Sequence, residues 1–561
     1  MYIEVRSTLF IQNNNIYLVY IYYIIYMLNR LILLSGPISS GKTTLARGLA
    51  KHYKFGIFKT SDVIRSKIQN GSEANRKILQ DEGDKYDKET NGEWVLNELK
   101  KWAKLNPSFT GVIVDSVRII EQIKAINEAF WPHVLHVHLT AAKAELERRY
   151  SSRSKSGPDA STKYENVKEN STENQIESLS SSADLVIDTK RCTTDDVLIK
   201  AVSYIDIEGA TGRGYVDVVV GGQYGSEGKG QICAYLSEEY DILVRVGGPN
   251  AGHSVFERSG KYIYHILPSG TRMNQTAKIV LGPGMVLNID TLLKEIKECE
   301  ITDTRLSIDP QAMIITKEDK DTEDVLVKSI GSTGQGVGAA TARRIMNRSE
   351  GSTFAKDCKE LKAYVRNTSS ILEEAFTHNK KVLLEGTQGT GLSLYHGPYP
   401  YVTSRDTTVS GCLSEAGIAP RRVRKVILVC RVYPIRVQDP PGGTSGPLRQ
   451  EISWKEVANR SGYSEADLIK EEKTSTTKKQ RRVGEFEWDL LHRSAVLNGA
   501  TDIALTFTDY ITKDNTKARR FEQLTPETIN FIQEVERVAN APVSLISTGF
   551  NLKSVIDRRI W

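Results

Sequence analysis

The sequence is poor in cysteine, and its cysteines form no recognisable motif. Six occur among 561 residues, and no two of them are spaced as a Cys-x-x-Cys pair. Neither a secreted disulfide framework nor a zinc site of paired cysteines is indicated. The pattern is typical of reduced thiols, and we expect a cytoplasmic protein.

The sequence also lacks an apolar run long enough to span a membrane. The most apolar stretch is IYLVYIYYIIY at residues 16–26, whereas a spanning helix needs about 20 residues. This stretch has neither the basic flank nor the clean small-residue cleavage site of a signal peptide. Met27 follows immediately, so we interpret residues 1–26 as a translated leader and Met27 as the start of the folded protein. A β-rich extension and a weak membrane anchor are the alternatives.

Positive charge exceeds negative charge only slightly. The net charge is +6 over 561 residues, which suits anionic small molecules and nucleic acid equally and selects neither. The chain is longer than one hydrophobic core usually serves, so its length predicts two to four domains.

The first motif present is a phosphate-binding loop. GPISSGKT at residues 36–43 follows the apolar segment LNRLILLS and precedes the helical pattern TLARGLAKHY. In such a loop, backbone N–H groups cradle phosphates, the lysine reaches the β- and γ-oxygens, and the threonine ligates Mg²⁺. An aspartate at the end of GVIVDSV is placed to complete this magnesium site, although a core-edge aspartate is the alternative. The residues expected at this nucleotide are Gly36, Gly41, Lys42, Thr43, Thr44 and Asp115.

Two arginines near this loop could hold a second nucleotide. Arg65 and Arg118 could bind a monophosphate acceptor through bidentate hydrogen bonds, with solvated arginines as the alternative. Strands that alternate with helices predict a doubly wound parallel sheet. Residues 27–207 resemble the nucleoside monophosphate kinase family of P-loop proteins. The resemblance implies a phosphotransfer activity and does not identify the monophosphate.

A second group of arginines lies at the start of a polar segment. Arg148 and Arg149 precede residues 152–182, which are rich in Ser, Lys, Glu and Asn, and Arg153 lies at their beginning. We expect that segment to be exposed and mobile. A lid there would bring cations to the transferring phosphoryl group, and a solvated helix face is the alternative.

A second glycine-rich loop, GGQYGSEGKG at residues 221–230, differs in spacing from the first. It heads a series of polar and glycine-rich segments that follow apolar stretches. The others are GGPNAGHS (247–254), YIYHILPSG (262–270), GSTGQGVGAATARR (331–344), LLEGTQGTGLSLYHGPYPYVTSRDTT (383–408), TSTTKKQRRVGEF (474–486), LTFTDY (505–510) and ISTG (546–549). In order, they resemble the motifs of adenylosuccinate synthetases, especially the short archaeal and phage-like branch near the 2-aminoadenylosuccinate synthetases.

The resemblance implies a domain arrangement and an activity. It covers a larger α/β domain at residues 214–561, which a short linker at 208–213 separates from the kinase-like residues 27–207. The implied ligase phosphorylates O6 of a purine nucleoside 5′-monophosphate with GTP or ATP and Mg²⁺. The amine of L-aspartate then displaces that phosphate at C6. A homodimer with shared sites is also implied, with neither nucleic acid nor membrane as a partner.

The resemblance also assigns roles to residues that match the family motifs. His253 is implied to be the catalytic acid, assisted by Lys229 and Ser226, and Gly252 and Ser226 stand at the Mg²⁺ position. The residues implied at the purine monophosphate are Asn250, Thr333, Arg343, Arg344, Gln388, Thr403 and Lys479, with Arg343 or Arg344 coming from the neighbouring subunit. The residues implied at GTP are Gly225, Glu227, Gly228, Gly230, Arg481, Asp509, Ser547 and Gly549.

Two positions depart from the family pattern near the triphosphate. Lys479 stands where an arginine is usual, a change that loses the bidentate fork. Asp509 matches the acid that reads guanine, but Phe507 and Thr508 replace the lysine that usually precedes it. We therefore expect GTP to be favoured only modestly over ATP or dATP.

The most consequential departure is Ser226. The family usually has an aspartate there, which removes the N1 proton of the purine and ligates Mg²⁺, whereas a hydroxyl is a poor base near pH 7. Three explanations are open: an inactive nucleotide-binding protein, a different proton acceptor with IMP as substrate, and a 2-amino purine such as dGMP. We favour the third, because a short side chain leaves room for the amino group and the dGMP-using synthetases lack the same acid. The chain would then be a bifunctional nucleotide enzyme; the opposed hypothesis is a nucleotide sensor.

Overall fold

The structure of the chain is a computed structural model. It describes residues 30–53, 55–68, 76–106, 109, 111–130, 133–153, 164, 175–204, 214–257, 260–348, 353–474 and 479–560. The chain divides into two compact units, Met1–Thr211 and Gly212–Trp561. The predicted leader at 1–26 and the predicted linker at 208–213 lie outside the described residues.

The N-terminal unit is built on a five-stranded parallel sheet in the order β2-β3-β1-β4-β5. Its strands are β1 (Leu31–Ser35), β2 (Phe55–Lys59), β3 (Gly111–Asp115), β4 (Val134–Thr140) and β5 (Leu185–Asp188). Its helices are α1 (Lys42–Tyr53), α2 (Thr60–Lys67), α3 (Arg76–Thr90), α4 (Glu93–Leu105), α5 (Ile120–Phe130), α6 (Lys143–Arg153) and α7 (Thr194–Tyr204). The predicted doubly wound parallel sheet is confirmed.

Apolar side chains on β1 alternate between the two faces of this sheet. Leu31 and Leu33 pack into one cluster, and Ile32 and Leu34 pack into another. A strand that is buried on both faces is typical of a parallel sheet covered by helices on each side. The phosphate loop follows the carboxyl end of β1, where open α/β sheets bind their ligands.

Part of the segment that was predicted to be exposed and mobile is ordered. Residues Ile176–Ser182 form a 3₁₀ helix. Ile176 and Leu179 of this helix are buried in the core cluster that contains Leu31. The prediction was wrong for this part, because the polar composition of the segment masked two apolar anchors. Residues 154–163 and 165–174 lie outside the described residues.

The C-terminal unit is built on a nine-stranded sheet in the order β12-β10-β7-β14-β6-β15-β19-β20-β21. Neighbouring strands run parallel except for β20 and β21. The strands of the unit are β6 (Tyr215–Gly221), β7 (Ile242–Arg245), β8 (His253–Glu257), β9 (Gly260–Tyr264), β10 (Lys278–Leu281), β11 (Val286–Leu287), β12 (Leu306–Ile308), β13 (Met313–Ile314), β14 (Lys381–Glu385), β15 (Val423–Arg431), β16 (Ile435–Val437), β17 (Glu451–Ile452), β18 (Arg481–Gly484), β19 (Asp502–Thr506), β20 (Val543–Ser547) and β21 (Val555–Asp557).

Helices cover this large sheet, and smaller sheets flank it. The helices are α8 (Lys229–Leu236), α9 (Ile289–Glu298), α10 (Lys317–Thr322), α11 (Asp324–Ile330), α12 (Val337–Met346), α13 (Thr368–Thr377), α14 (Val409–Ala416), α15 (Trp454–Ser461), α16 (Glu465–Glu471), α17 (Trp488–Asn498) and α18 (Pro526–Ala539). The small sheets pair β8 with β9, β11 with β13, and β18 with β16 and β17. In the described ranges, no helix has both the length and the apolar character needed to cross a bilayer.

The sheet topology explains why the glycine-rich segments can meet. Strands β6, β7, β14, β19 and β20 are parallel, and each leads into one of those segments. The carboxyl ends of parallel strands share one edge of a sheet, which is where such folds bind ligands. The predicted second α/β domain is therefore present, with five of its motif segments on a common edge.

Candidate active site

The glycine-rich segments line one cavity of the C-terminal unit, with a volume of about 280 Å³. The predicted residues on its walls are Gly225, Ser226, Gly228, Lys229, Gly230, Asn250, Gly252, His253, Thr333, Gln388, Thr403, Lys479, Arg481, Ser547 and Gly549. Glu227, Arg343, Arg344 and Asp509 were predicted at the site but do not line this cavity.

Glu227 shapes the loop that follows β6. Its carboxylate accepts hydrogen bonds from the backbone N–H groups of Gln223 at 3.2 Å and Gly225 at 2.7 Å, and it pairs with Lys229 Nζ at 2.5 Å. Glu227 is fully buried, so its side chain supports the loop instead of contacting a nucleotide. Gly225 and Gly228 both have a φ of 88°, a conformation that glycine adopts without strain.

His253, at the start of β8, is oriented by Glu385 at the end of β14. Nδ1 of the imidazole hydrogen-bonds to Oε1 of Glu385, which also accepts from the hydroxyl of Ser269 at 2.5 Å. This leaves Nε2 for a substrate. A Cβ added at Gly230 would lie 2.8 Å from the Cβ of His253, so the loop approaches the imidazole as closely as a glycine allows.

Burial and neighbouring charges fix the ionisation of this pair. Burial lowers the pKa of His253 to about 4; the Arg245 cation adds to this effect, and Glu385 opposes it. Burial would raise the pKa of Glu385, but Arg245 and His253 outweigh it and hold that pKa at about 2. At neutral pH the pair is therefore a carboxylate that accepts a hydrogen bond from a neutral imidazole.

Ser226 is exposed at the cavity and contacts a charged cluster. Its φ of 55° is a left-handed conformation that is uncommon for residues other than glycine. Its Oγ accepts a hydrogen bond from Arg481 Nη2 at 3.2 Å. Arg481 also pairs with the buried Glu472 at 3.0 Å, and Glu472 pairs with Arg431 at 2.8 Å. Two guanidinium groups and one carboxylate thus leave a net positive charge beside Ser226.

Two residues predicted at the purine monophosphate are joined by a hydrogen bond on the cavity wall. Gln388 Nε2 donates to Thr403 Oγ1 at 2.7 Å, so the structure joins two residues from one motif segment. Asn250 Oδ1 is buried and has no hydrogen-bond partner among the described residues. A buried acceptor left unsatisfied costs about 1–3 kcal/mol, which a bound ligand would recover. Thr333 and Lys479 also line the cavity.

Aromatic side chains line the cavity near Ser547 and Gly549. Phe507 and Phe550 are part of the wall, and their ring centroids lie 5.5 Å apart. Asp509 is only 3% exposed, and its Oδ2 accepts from the Tyr463 hydroxyl at 3.0 Å. Burial raises the pKa of Asp509 to about 6. The two rings line the cavity and Asp509 does not, although its Oδ1 is buried without a hydrogen-bond partner among the described residues, so the role predicted for Asp509 stays a prediction.

The two arginines predicted at the 5′-phosphate lie on α12. Arg343 pairs with Asp319 at 2.8 Å. Arg344 donates to the backbone carbonyls of Pro283 at 2.8 Å and Gln311 at 3.1 Å. Neither lines the cavity of its own chain, a placement compatible with a role in the site of a neighbouring subunit.

The N-terminal unit has its own cavity, of about 470 Å³, beside the first phosphate loop. The predicted residues that line it are Gly41, Lys42, Thr43, Arg65, Asp115 and Arg118. Thr43 Oγ1 donates to Asp115 Oδ2 at 3.1 Å, which joins the two predicted magnesium ligands. Lys42 Nζ donates to the carbonyl of Gly36 at 2.6 Å. Thr44 is exposed and is not part of the lining.

The arginines predicted for a lid have partners on their own unit. Arg148 and Arg149 pair with Glu145 at 2.7 and 2.8 Å, and Arg149 also donates to Thr189 Oγ1 at 2.9 Å. Neither arginine lines the cavity, and the side chain of Arg153 lies outside the described residues. The lid stays a prediction.

The two units differ in how well they suit Mg²⁺. Within the described residues, no group of three or more His, Cys, Asp or Glu side chains is suited to a metal ion. In the C-terminal cavity the predicted oxygens are the Ser226 hydroxyl and the Gly252 carbonyl, while the carboxylates of Glu227 and Glu472 are paired with cations. Magnesium there would depend mainly on the phosphates of a nucleotide and on water. The Thr43 and Asp115 pair of the N-terminal unit fits the ion better.

Three residues that shape the site were not singled out from the sequence. Glu385 could have been found, because it is a carboxylate at the end of a buried strand and precedes a glycine motif. Glu472 and Tyr463 lie outside the motif segments. Only the tertiary structure brings them to Arg481 and Asp509.

Family models match both units of the chain. The model of adenylosuccinate synthetase matches residues 218–352 and 348–515, and the model of an AAA domain matches residues 32–177. The second match agrees with the predicted P-loop unit.

Archaeal and phage proteins are among the relatives. The adenylosuccinate synthetase of Thermococcus onnurineus is 40% identical over 351 residues, which cover 61% of this chain and 98% of the relative. That of Methanococcus aeolicus is 39% identical, with 61% and 99% covered. The solved succinoaminodeoxyadenylate synthetase of cyanophage S-2L, bound to dGMP and dATP, is 27% identical with a TM-score of 0.53, and covers 62% of this chain and 95% of its own. The resemblance predicted from the motifs is confirmed, and the chain belongs to the adenylosuccinate synthetase family.

Proposed function

We propose that the adenylosuccinate synthetase-type ligase of this chain acts on a 2-amino purine monophosphate, dGMP or GMP. It joins L-aspartate to C6 of the purine through a 6-phosphoryl intermediate, and the product is a 2-aminoadenylosuccinate. GTP or ATP supplies the phosphoryl group.

The observation that carries this proposal is the side chain at position 226. Ser226 lines the cavity with a short hydroxyl that accepts from Arg481, where the family usually has a carboxylate. Guanine bears an amino group next to N1, and a short side chain leaves space for it. The cyanophage S-2L enzyme, described with dGMP bound, is similar to this chain and supports the same reading.

Lys229, His253 and Glu385 provide the charge and proton chemistry. Lys229 and the loop N–H groups stabilise charge on the transferring phosphoryl group. The imidazole of His253 is neutral in the free protein, since burial and Arg245 lower its pKa. Bound phosphates offset the positive field of Lys229 and Arg245, which raises the pKa of His253. The imidazolium then donates its proton to O6 as the C6–O6 bond breaks, phosphate leaves and the aspartate nitrogen bonds to C6. Glu385 fixes the ring orientation and acts as a positioning residue.

Magnesium, when bound, neutralises phosphate charge in both units. In the ligase the Ser226 hydroxyl and the Gly252 carbonyl would hold it. In the N-terminal unit, Thr43 and Asp115 would hold it.

The ligase is further proposed to be a homodimer with shared sites. Arg343 or Arg344 of one subunit would bind the 5′-phosphate in the other, since neither lines its own cavity. The same helix presents apolar side chains to solvent, with Ile345 60% and Met346 78% exposed. A partner subunit would cover them.

A monophosphate screen tests the substrate. Purified full-length protein is given dGMP, GMP or IMP with L-aspartate, Mg²⁺ and either GTP or ATP, and aspartate-dependent phosphate release is measured. We expect a higher kcat/KM for a guanine nucleotide than for IMP. A preference for IMP would support an ordinary adenylosuccinate synthetase, and binding without turnover would support a nucleotide sensor.

The N-terminal unit is proposed to phosphorylate a nucleoside monophosphate. The contact between Thr43 and Asp115 at 3.1 Å favours this second activity, because it preassembles a magnesium site at the phosphate loop. ADP formation from ATP that depends on an added monophosphate, measured without aspartate, is the direct test. Nucleotide binding without such turnover would make this unit a binding module only.

A further inference from the structure

The N-terminal cavity has an end whose side chains the phosphate chemistry does not use. Gln80, Asp84 and Asp87 of α3 line it, together with Trp94 and Ile176. The three polar residues recur at i, i+4 and i+7 and therefore share one face of the helix.

Asp87 is held in a fixed position within this end of the cavity. Its Oδ1 accepts from Trp94 Nε1 at 2.6 Å and from Gln122 Nε2 at 2.8 Å. Both donors use the same oxygen, so Oδ2 keeps the capacity to accept from a ligand. Gln122 Oε1 accepts from the backbone N–H of Arg118 at 2.9 Å. Asp87 is thereby connected to one of the arginines expected at the acceptor phosphate.

Gln80 supplies a hydrogen-bond donor, where Asp87 supplies an acceptor. Its side chain is 8% exposed, and Nε2 is buried with no hydrogen-bond partner in the part of the chain that the structure describes. A buried donor is costly unless something accepts from it. The cavity therefore offers one unmet donor and carboxylate acceptors next to an indole ring, a lining that suits a flat, hydrogen-bonding heterocycle.

We propose that this cavity binds a purine 5′-monophosphate with a 2-amino group as the phosphoryl acceptor. Guanine presents O6 as an acceptor and N1–H and the 2-amino group as donors. That edge complements the Gln80 amide and the Asp87 carboxylate. Thymine would place a second carbonyl against the carboxylates, and hypoxanthine lacks the 2-amino donor. A 2,6-diaminopurine nucleotide shares the 2-amino group with guanine, but its 6-amino group would face the Gln80 donor and its N1 carries no proton.

This inference rests on the proposed phosphotransfer and names its substrate. The γ-phosphorus bond to the β–γ bridging oxygen of ATP breaks, and a bond forms from γ-phosphorus to an oxygen of the acceptor 5′-phosphate. The products are ADP and the purine nucleoside diphosphate. Both units of the chain would thus select the same group on the purine.

Full-length protein is assayed with ATP and Mg²⁺, without aspartate, so that the ligase does not turn over. The acceptors are dGMP, 2,6-diaminopurine deoxyriboside monophosphate, dIMP, dAMP and dTMP, and binding is measured in parallel by calorimetry. We expect at least one of the two 2-amino purines to exceed dIMP in kcat/KM by about tenfold or more, because a site built to bind an amine leaves its carboxylate unpaired without it.

Matched variants of α3 locate the selectivity. Asp87→Asn should bring the ratio of dGMP to dIMP close to one. Asp81→Asn, an exposed carboxylate on the same helix outside the cavity lining, should leave the ratio unchanged. If Asp87→Asn does not fold, Gln80→Leu provides the second test, since it removes the unmet donor and should weaken dGMP more than dAMP.

Each result separates the base assignment from phosphotransfer. Equal use of dGMP, the diaminopurine nucleotide and dIMP, or a preference for dTMP, would overturn the base assignment and leave phosphotransfer in place. Selective binding of a 2-amino purine that Asp87→Asn removes, without turnover, would keep the base assignment and overturn phosphotransfer. Binding that Asp87→Asn leaves unchanged belongs to the ligase site. Absence of both turnover and Asp87-dependent binding would overturn both.

Discussion

His253 is the residue on which the proposed ligase chemistry depends most directly. His253→Ala should reduce kcat by about 10²–10⁴-fold, the usual contribution of a general acid or base, and should leave nucleotide affinity largely intact. Aspartate-dependent phosphate release and calorimetry measure the two quantities. His378→Ala is a matched control, because His378 is a half-buried histidine outside the cavity lining that hydrogen-bonds to the backbone carbonyl of Glu374. Turnover of His253→Ala within a few-fold of wild type would refute the assigned role.

The hydrogen bond between Glu385 and His253 should be visible in the pH dependence of kcat. The carboxylate raises the pKa of His253 against the larger opposing effects of burial and Arg245. If the protonated imidazole is the active form, Glu385→Gln lowers its pKa and the alkaline limb of kcat moves to lower pH. A pH profile of kcat at saturating substrates measures this shift. An unchanged limb, with only a lower plateau, would show that Glu385 is structural.

Ser226→Asp tests why this chain lacks the usual acid. The left-handed φ of 55° tolerates aspartate better than most residues, so the loop should keep its shape. A carboxylate should crowd a 2-amino group and give IMP the missing base. The ratio of kcat/KM for dGMP to that for IMP should therefore fall by about 10- to 100-fold, or about 1.4–2.7 kcal/mol.

Ser226→Asn separates size from charge in this experiment. Asparagine matches aspartate in size and cannot act as a base, so it should harm dGMP without helping IMP. A wild-type preference for IMP, or a ratio that does not move in Ser226→Asp, would remove the 2-amino explanation.

The segment after β19 is expected to hold the base of the triphosphate. Phe507 and Phe550 line the cavity, whereas Asp509 is bonded to Tyr463. Phe507→Ala should weaken GTP and ATP alike, by about 1–3 kcal/mol if each base stacks on the ring. Asp509→Asn should change the GTP to ATP ratio of kcat/KM by less than the Phe507 change alters either value. A selective loss of GTP would instead establish Asp509 as the reader of guanine.

The same elements show how far the sequence could predict the site. Each buried strand that runs into a glycine motif is a local pattern, and parallel strand ends share one edge, so residues such as Lys229, His253 and Gln388 could be placed in one cavity. The engagement of Asp509 with Tyr463 could not be predicted, because the tyrosine belongs to a different segment. The buried anchors in residues 176–182 were missed for a similar reason, since their partners lie far away in sequence.

At the scale of the molecule, the two phosphate loops belong to separate compact units. Lys42→Ala should therefore abolish monophosphate-dependent ADP formation and leave aspartate-dependent phosphate release unchanged. Lys229→Ala should have the reverse effect, because Lys229 lines the other cavity. Assaying both reactions for both variants supplies the internal controls. Loss of both activities in either variant would indicate coupled sites.

If the subunits of a homodimer share their sites, a mixed dimer of two inactive variants should regain activity. His253→Ala and Arg344→Ala chains are co-expressed with different affinity tags, and the mixed dimer is purified through both. If Arg344 serves the neighbouring subunit, one site of the mixed dimer contains both defects and the other contains neither. The mixed dimer should then regain about half of the wild-type activity, although each parent is inactive. If the arginine serves its own chain, both sites carry one defect and no activity returns.

Repeating the experiment with Arg343→Ala decides between the two arginines. Arg343 pairs with Asp319 at 2.8 Å, so the melting temperature of this variant must be measured alongside. Failure of both mixtures would show that neither arginine acts across subunits.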